Sequence, residues 1–378
     1  MKKIALIGST GSIGRQVIAC AERYPERYKI ISLAAGGNAK LLGSQINTLK
    51  PSVAALCDAS KAGEIDSLPE ETTLYTGENA ALHAVTNEAD LVFVAVMGFA
   101  GLKTVLEAIK LKKDVAIANK ETLVAGGEIV TALAKANGVE LIPVDSEHSA
   151  LWQSMYLRKD TAFKNLIITA SGGAFRDMPI ESLPTLKAAD ALKHPNWNMG
   201  KKITVDCATM VNKGLEVIEA KWLFDCPLEK IKVLYHPESI VHSMVEYADG
   251  AIIGQMGYPS MELPISLAMS YPERLAGAPT LDLAGKTLHF GELDMKRYPC
   301  FPLVIESAKA GDNYPCALSS ANEEAVRLYL EDEIGFTEIY DYLKYVLDKT
   351  VKAPATYENL VETDLRSREL VLNRHKAR

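Results

Sequence analysis

The chain has 378 residues, 48% apolar and 24% charged, the balance of a globular protein too long for a single core, so two or three domains are expected. Its net charge of −7, with no long basic run, argues against nucleic acid as the main partner but leaves room for a local phosphate pocket. There is no apolar run of about 18 residues, so no membrane span is expected, and six scattered cysteines without a CxxC pair fit reduced thiols in a cytoplasmic protein.

The opening MKKIALIG has too short an apolar stretch for a signal peptide and reads instead as a first strand. A helix follows over SIGRQVIACAERY, then a strand over KIISLAAG, a helical stretch, a strand over VAALC, and a helix leading to the strand ADLVFVAV. GLKTVLEAIK is helical, DVAIAN a strand, GGEIVTALAKAN a helix and VELIPV a strand. Short apolar runs between amphipathic helices predict a Rossmann-like, doubly wound parallel sheet over residues 1–145.

Beyond Val144 the alternation blurs. LIITASGG, KITVDCATM, IKVLYHP and GAIIGQMG read as strands of a second sheet, in a central α/β domain over 146–272. Residues 273–298 carry little periodic signal and read as a linker. The helical spacing of ESAKAG, SSANEEAVRLYLEDE and FTEIYDYLKYVLDKT predicts a C-terminal helical domain over 299–378, ending in a basic, solvated helix. No internal repeat or low-complexity segment is present.

The turn Gly8-Ser-Thr-Gly11-Ser-Ile-Gly14 lies between the first strand and the first helix. Glycines there permit a tight turn and let a pyrophosphate approach backbone amides at a helix N-terminus. The spacing is GxxGxxG, and a plain tight turn would use the same residues; the position after an initial strand favours a nucleotide. An NAD site usually places an acid at the end of the second strand to bind the ribose diol. That strand ends Leu33-Ala-Ala-Gly36-Gly37-Asn38-Ala-Lys40, which favours NADP, with Arg15, Asn38 and Lys40 as candidate partners.

Asp145 and Glu147 follow VELIPV, at the strand ends where such sheets bind ligands. In extended chain, residues i and i+2 face the same way, so the two carboxylates need a proton, a base or a cation between them. Hard Mg²⁺ or Mn²⁺ suits them; Asp145 capping a helix that starts near Ser149 is the competing reading. In Lys201–Glu216, read as a strand running into a helix, Asn212, Lys213 and Glu216 fit one helical face. They could serve an anion and complete a three-carboxylate metal site, or form an ordinary solvated ion pair. Ser171 in Ala170-Ser-Gly-Gly173 offers a hydroxyl and free amides to a phosphate. His194-Pro-Asn-Trp-Asn-Met-Gly200 reads as a lid, with Trp197 packed in a core as the alternative. His236 and His242 flank a strand and are structural histidines by default.

Together, GSTGSIG (8–14), ANKETLV (118–124), PVDSEHSALWQ (143–153), ASGGAF (170–175), HPNWNMGKKITVDCATMVNKGLEVIEA (194–220), HPESIVHSMVEY (236–247) and SSANEEAV (319–326) resemble the 1-deoxy-D-xylulose 5-phosphate reductoisomerase family over nearly the whole chain. The resemblance implies a homodimer with an N-terminal NADPH domain, a central catalytic domain and a C-terminal helical domain. It also implies NADPH- and metal-dependent rearrangement and reduction of 1-deoxy-D-xylulose 5-phosphate to 2-C-methyl-D-erythritol 4-phosphate, in non-mevalonate isoprenoid precursor synthesis.

The same resemblance assigns the site. Asp145, Glu147 and Glu216 hold Mg²⁺ or Mn²⁺, and Lys120 and Ser146 contact the substrate backbone. Ser171, Asn212 and Lys213 take its phosphate, and His194 helps position it. Trp197 and Met199 belong to the lid, with His242 nearby. Thr10, Gly11, Ser12, Ile13, Gly36, Gly37, Asn38, Asn119, Glu121 and Gly200 meet the cofactor. Two positions depart from the family: Cys207 stands where a serine commonly meets the phosphate, and Gly37 where some members have a lysine near the 2′-phosphate. A simple NADP-dependent semialdehyde dehydrogenase would not need three carboxylates, and a non-enzymatic NADPH sensor would use neither DSE nor NKGLE.

Overall fold

The computed structural model describes residues 1–155, 162–193, 195–197 and 199–378. Its contacts divide the chain into two compact units. The first comprises Met1–Thr122, Val130–Asp145 and Met261–Ala278; the second comprises Leu123–Ile129, Ser146–Ser260 and Pro279–Arg378.

The first unit opens with β1 (Lys2–Ile7), whose Ile4, Ala5, Leu6 and Ile7 are wholly buried because helices cover both faces of a parallel sheet. It continues through α1 (Ser12–Arg23), β2 (Tyr28–Ala35), α2 (Ala39–Leu49), β3 (Val53–Leu56), β4 (Thr73–Thr76), α3 (Ala80–His83) and β5 (Leu91–Val94). Next come α4 (Gly101–Lys110), β6 (Asp114–Ile117), α5 (Lys120–Asn137) and β7 (Leu141–Pro143). The strand order is β4-β3-β2-β1-β5-β6-β7, parallel throughout. The order reverses between β1 and β5, and such a switch point opens a crevice at the carboxyl ends of the strands. β4 went unread in the sequence because it is a short, largely exposed edge strand with no apolar run to mark it. In α5, Gly126 leaves helical geometry (φ −125°, ψ 21°), and the flanking segment Leu123–Ile129 belongs to the second unit. The helix Glu262–Ser270 completes the first unit, with ion pairs Arg23–Glu262 and Arg27–Glu273 and a 3.0 Å bond from Lys2 Nζ to the Met269 carbonyl.

The second unit contains α6 (Ser146–Met155), β8 (Phe163–Ala170), α7 (Ala188–Ala191), α8 (Lys201–Thr209), α9 (Val211–Leu223), β9 (Ile231–Tyr235), β10 (Val241–Tyr247) and β11 (Ile252–Met256). Its sheet runs β11-β10-β8-β9, with β8 and β9 parallel and β10 antiparallel to both neighbours. Leu151, Leu166, Ile168, Val217 and Val245 pack α6 and α9 onto it. After α10, the helix Glu262–Ser270 above, come α11 (Cys300–Ala310), α12 (Tyr314–Leu330), α13 (Glu338–Lys349) and α14 (Tyr357–Lys376). They share a core with α8 and α9 built on Val205, Leu215, Val304, Leu318, Tyr329 and Tyr342.

KITVDCATM is a correction: it is the helix α8, not a strand. Its β-branched Ile203, Thr204 and Val205 argue for a strand on propensity, but Thr204, Val205 and Ala208 are buried at helical spacing against a helical core. Likewise His242 does not flank a strand but is the second residue of β10, at a register shift between Val241 and Ser243. The α/β class, with a parallel seven-stranded sheet, a second sheet and a helical C-terminal region, is as the sequence predicts.

Candidate active site

In the first unit, the glycine turn leaves β1 at the switch point. Gly8 has φ +93°, and a Cβ there would stand 2.5 Å from the Ala95 carbonyl oxygen, so β1 and β5 approach where only glycine fits. A Cβ on Gly14 would lie 2.2 Å from the Gly8 oxygen, which packs α1 against the turn. Gly11 is the N-cap of α1, without a side-chain capping bond and with no acid in the first turn. The amides of Ser12 and Ile13 therefore lie in the first turn, at the positive end of the helix dipole, where the chemistry suits an anion.

β2 delivers Gly36, Gly37 and Asn38 to the same edge of the sheet. Asn38 is occupied locally, because its Oδ1 accepts from the Leu41 amide at 3.2 Å and caps α2. At the end of β6, Asn119 Oδ1 accepts from the Thr122 amide at 3.1 Å and caps α5; its Nδ2 donates to the Gly98 carbonyl and to Glu121 Oε2 at 3.1 and 2.9 Å. That cap fixes the first turn of α5 and with it Lys120, whose buried Nζ lies 2.5 Å from Asp145 Oδ2. Gly200, the remaining cofactor candidate, is the exposed N-cap of α8 in the second unit.

In the second unit, Glu147 stands in the first turn of α6, where the helix dipole favours a carboxylate. The geometric reason for its pairing with Asp145 therefore differs from the sequence expectation: the two flank a helix start, joined through Ser146, and do not share a strand face. Ser146 Oγ donates to Glu147 Oε2 at 2.5 Å. Residues Val211–Ala220 of α9 are all buried, charged ones included. Lys213 Nζ lies 2.7 Å from Glu147 Oε1 and 2.5 Å from Glu216 Oε2, while Asn212 Nδ2 donates to Glu216 Oε1 at 2.6 Å.

This is no solvated ion pair, since the Lys213 and Glu216 side chains are 5% and 1% exposed. Burial pulls the Lys213 ammonium toward deprotonation, but Glu147 and Glu216 outweigh it and hold the group above its ordinary value. Glu147 and Glu216 each offer a carboxylate oxygen within 4.8 Å of the other, spacing and chemistry suited to a hard cation. Behind them lies a pair that the sequence reading left without a role. His148 Nε2 meets the Glu216 carbonyl at 2.8 Å, and its Nδ1 lies 3.5 Å from Glu219, both side chains fully buried. A second glutamate one turn after Glu216, set among the apolar Leu215, Val217, Ile218 and Ala220, was the available signal.

Ser171 follows β8 on a turn in which Gly172 and Gly173 both have positive φ (+86° and +72°). A Cβ on Gly173 would stand 2.5 Å from the Cys207 carbonyl oxygen, so α8 packs directly on this turn. Arg176, another residue missed in the sequence, ties the turn to the next loop by donating to the Ser171 and Pro237 carbonyls at 3.0 and 2.9 Å. Asn196 reaches that loop too, donating to the Pro237 carbonyl and Ser239 Oγ at 2.6 and 2.9 Å. The half-buried Trp197 ring lies 5.8 Å from that of His242. Burial lowers the His242 pKa against the opposing pull of Glu147. His194 lies outside the described residues.

Fold and residues define the class: an α/β oxidoreductase with a dinucleotide turn in one unit and a carboxylate pair around a buried lysine in the other. Three family models match, described as 1-deoxy-D-xylulose 5-phosphate reductoisomerase (residues 4–127), its C-terminal domain (141–224) and DXP reductoisomerase C-terminal domain (256–370). The 1-deoxy-D-xylulose 5-phosphate reductoisomerase of Geobacter metallireducens is 44% identical over 98% of both chains, and that of Chlorobium phaeovibrioides 46% over 94% of each. Among solved structures, the Zymomonas mobilis reductoisomerase in complex with NADPH superposes with a TM-score of 0.92 at 36% identity, covering 100% of both chains. A DOX-P reductoisomerase in complex with NADPH, fosmidomycin and magnesium gives 0.94 at 33% identity, covering 100% of this chain and 98% of that one. The chain belongs to the 1-deoxy-D-xylulose 5-phosphate reductoisomerase family.

Proposed function

We infer that this protein converts 1-deoxy-D-xylulose 5-phosphate to 2-C-methyl-D-erythritol 4-phosphate, oxidising NADPH and depending on a divalent cation, in isoprenoid precursor synthesis. The observation that carries the reading is the buried Lys213 ammonium held between Glu147 and Glu216. An acidic pair folded around a cation is built to be neutralised, and it accepts Mg²⁺ or Mn²⁺ in the ammonium's place. Asp145, directly before Ser146, supplies the third carboxylate in this reading. When bound, the cation polarises substrate oxygens as a Lewis acid and the nicotinamide supplies hydride.

The chain's own residues do the rest. Asn212 and Ser146 hold the two glutamates in fixed orientation, so little reorganisation is needed when charge develops nearby. Lys213, released from a neutralised pair, binds the substrate phosphate with Asn212 and Ser171 in this reading. Lys120 and Ser146 meet the ketose backbone, and His194 helps to position it. Trp197 and Met199, with His242, cover the fragments and exclude water while the carbon skeleton is rearranged.

The functional division in this reading is an NADPH domain over 1–145, a catalytic domain over 146–272, a linker over 273–298 and a helical domain over 299–378. The nucleotide would lie against Thr10–Ile13, Gly36–Asn38, Asn119, Glu121 and Gly200. The working form is a cytoplasmic homodimer: six free thiols suit a reducing compartment, and β11 leaves an apolar edge open for a second copy. No helix among the described residues is long and apolar enough to cross a membrane.

The test is NADPH oxidation with the ketose phosphate, with and without Mg²⁺ or Mn²⁺, and identification of the product as a branched polyol phosphate. Glu216→Gln should fold and bind NADPH yet lose metal-dependent turnover, a drop of at least about 10²-fold on the scale of a lost electrostatic stabiliser. Full activity in EDTA, or an unaffected Glu216→Gln enzyme, would remove the cation site from the mechanism.

A further inference from the structure

The loop after β2 is where a doubly wound sheet meets the adenosine ribose of its nucleotide. Here that loop is locked to the end of β3. The Cys57 amide donates to the Ala35 carbonyl at 3.0 Å and the Asp58 amide to the Gly36 carbonyl at 2.8 Å. These bonds place the single turn Ala59–Glu64 beside Gly36 and Gly37.

Asp58 shapes that turn. Its Oδ1 accepts from the Ser60 amide at 3.2 Å and from the Ser60 hydroxyl at 2.6 Å, and its Oδ2 lies 3.5 Å from Lys61 Nζ. The hydrogen bond from the Ser60 hydroxyl, aided by Lys61, holds the Asp58 carboxyl below its usual value. Asp58 is thus an anion whose Oδ1 is engaged by its own turn and whose Oδ2 draws the Lys61 ammonium to the loop.

The ammonium stops at a particular place. A Cβ built on Gly37 would lie 3.3 Å from Lys61 Nζ and 3.5 Å from Asp58 Oδ2, and one built on Gly36 would meet nothing within 4 Å. Lys61 therefore comes alongside position 37 from a neighbouring strand connection together with its ion-pair partner Asp58, and the absent side chain at 36 leaves open space in the same loop. β2 brings no acid to this edge, and Asn38 is committed to its helix cap. A half-exposed ammonium at the ribose loop, paired only at 3.5 Å with the likewise half-exposed Asp58 carboxylate, suits an anion on the ribose.

We propose that Lys61, positioned by Asp58, recognises the 2′-phosphate of the nucleotide and sets the preference for the phosphorylated cofactor. The proposal rests on the NADPH reading above. Its chemistry is a charge-assisted contact to phosphate oxygens, which a ribose diol cannot replace.

The test is calorimetric titration of the full chain with adenosine 2′,5′-bisphosphate and, separately, adenosine 5′-monophosphate. The wild type should prefer the 2′-phosphorylated ligand. Lys61→Ala should lower that affinity by roughly tenfold and leave the monophosphate unchanged, while Lys61→Arg keeps the preference. In turnover, Lys61→Ala should raise the KM for NADPH with kcat unchanged. The proposal is overturned if the wild type shows no preference, if Lys61→Ala keeps the wild-type ratio, or if it loses both ligands equally. Failure of the wild type to reduce the ketose phosphate, with the 2′-phosphate preference and its loss in Lys61→Ala intact, would strike the proposed reaction and leave Lys61 in place.

Discussion

Lys213 holds the buried Glu216 and the partly buried Glu147 together, and that contact makes opposite demands on stability and turnover. Removing the ammonium leaves Glu147 and Glu216 facing one another with like charge in a site from which water is largely excluded. Breaking a buried pair by deleting one partner costs about 3–5 kcal/mol. Lys213→Ala should therefore melt at lower temperature than the wild type in EDTA. Mg²⁺ or Mn²⁺, which replaces the missing charge, should raise the Tm of the variant more than that of the wild type. In kinetics the same variant should show a higher KM for the ketose phosphate, with a lower kcat if phosphate binding contributes to the transition state. Thermal melts with and without metal check the first statement, and a KM equal to wild type would refute the second. The residue types at this site were legible: DSE after an apolar run and NKGLE at helical spacing are unusual enough to single out. Burial was not, because an i,i+3 lysine–glutamate pair looks the same on a solvated face, and only the tertiary packing of Val211–Ala220 decides between them.

Elements were readable where pattern and packing agreed. The strands of the parallel sheet announced themselves as short apolar runs, since each of β1, β2 and β5 is buried on both faces. α8 was misread because local preference and tertiary environment disagree there: Ile203, Thr204 and Val205 prefer a strand, and a helical core overrides them. Lys61 escaped notice for another reason. It lies more than twenty residues from the loop it serves, and only the backbone bonds between the ends of β2 and β3 bring it there. α9 shows how tightly an element can be constrained by its neighbour. A Cβ on Gly214 would stand 2.7 Å from Val304 Cβ, so α9 and α11 meet at a glycine. Both helices are in a close-packed core where side chains cannot simply move aside. Gly214→Ala should thus destabilise the protein by about 1–3 kcal/mol through overpacking, despite alanine's better helix propensity. Because Lys213 and Glu216 flank this position, the displacement should also reach the acidic pair. Urea unfolding with an unchanged m-value and a lower midpoint would report the first effect; a stabilised variant would mean that α11 yields freely.

At the scale of the whole molecule, the unfinished edge of the second sheet carries the argument for assembly. Among the described residues, β11 pairs only with β10 and ends the order β11-β10-β8-β9. Edge strands usually discourage pairing with lysine, proline or an inward charge, yet Ile252–Met256 reads IIGQM, without a charge or a proline. Ile252, Ile253 and Met256 are 57%, 38% and 45% exposed, and Tyr258 beyond the strand is 40% exposed. Apolar side chains beside a row of open backbone donors and acceptors suit a second copy of the same strand, and a twofold axis would let one patch serve as both halves of the contact. The protein should therefore run in light scattering at twice the chain mass of 41.1 kDa. Ile252→Lys combined with Ile253→Lys places like charges across the axis and should shift the mass to that of one chain, with circular dichroism unchanged. Neither residue belongs to the proposed catalytic or nucleotide machinery, so activity remaining in the single chain would show that each protomer carries a complete site. A wild type that is already monomeric, or a double variant that stays dimeric, would put the contact elsewhere or remove it.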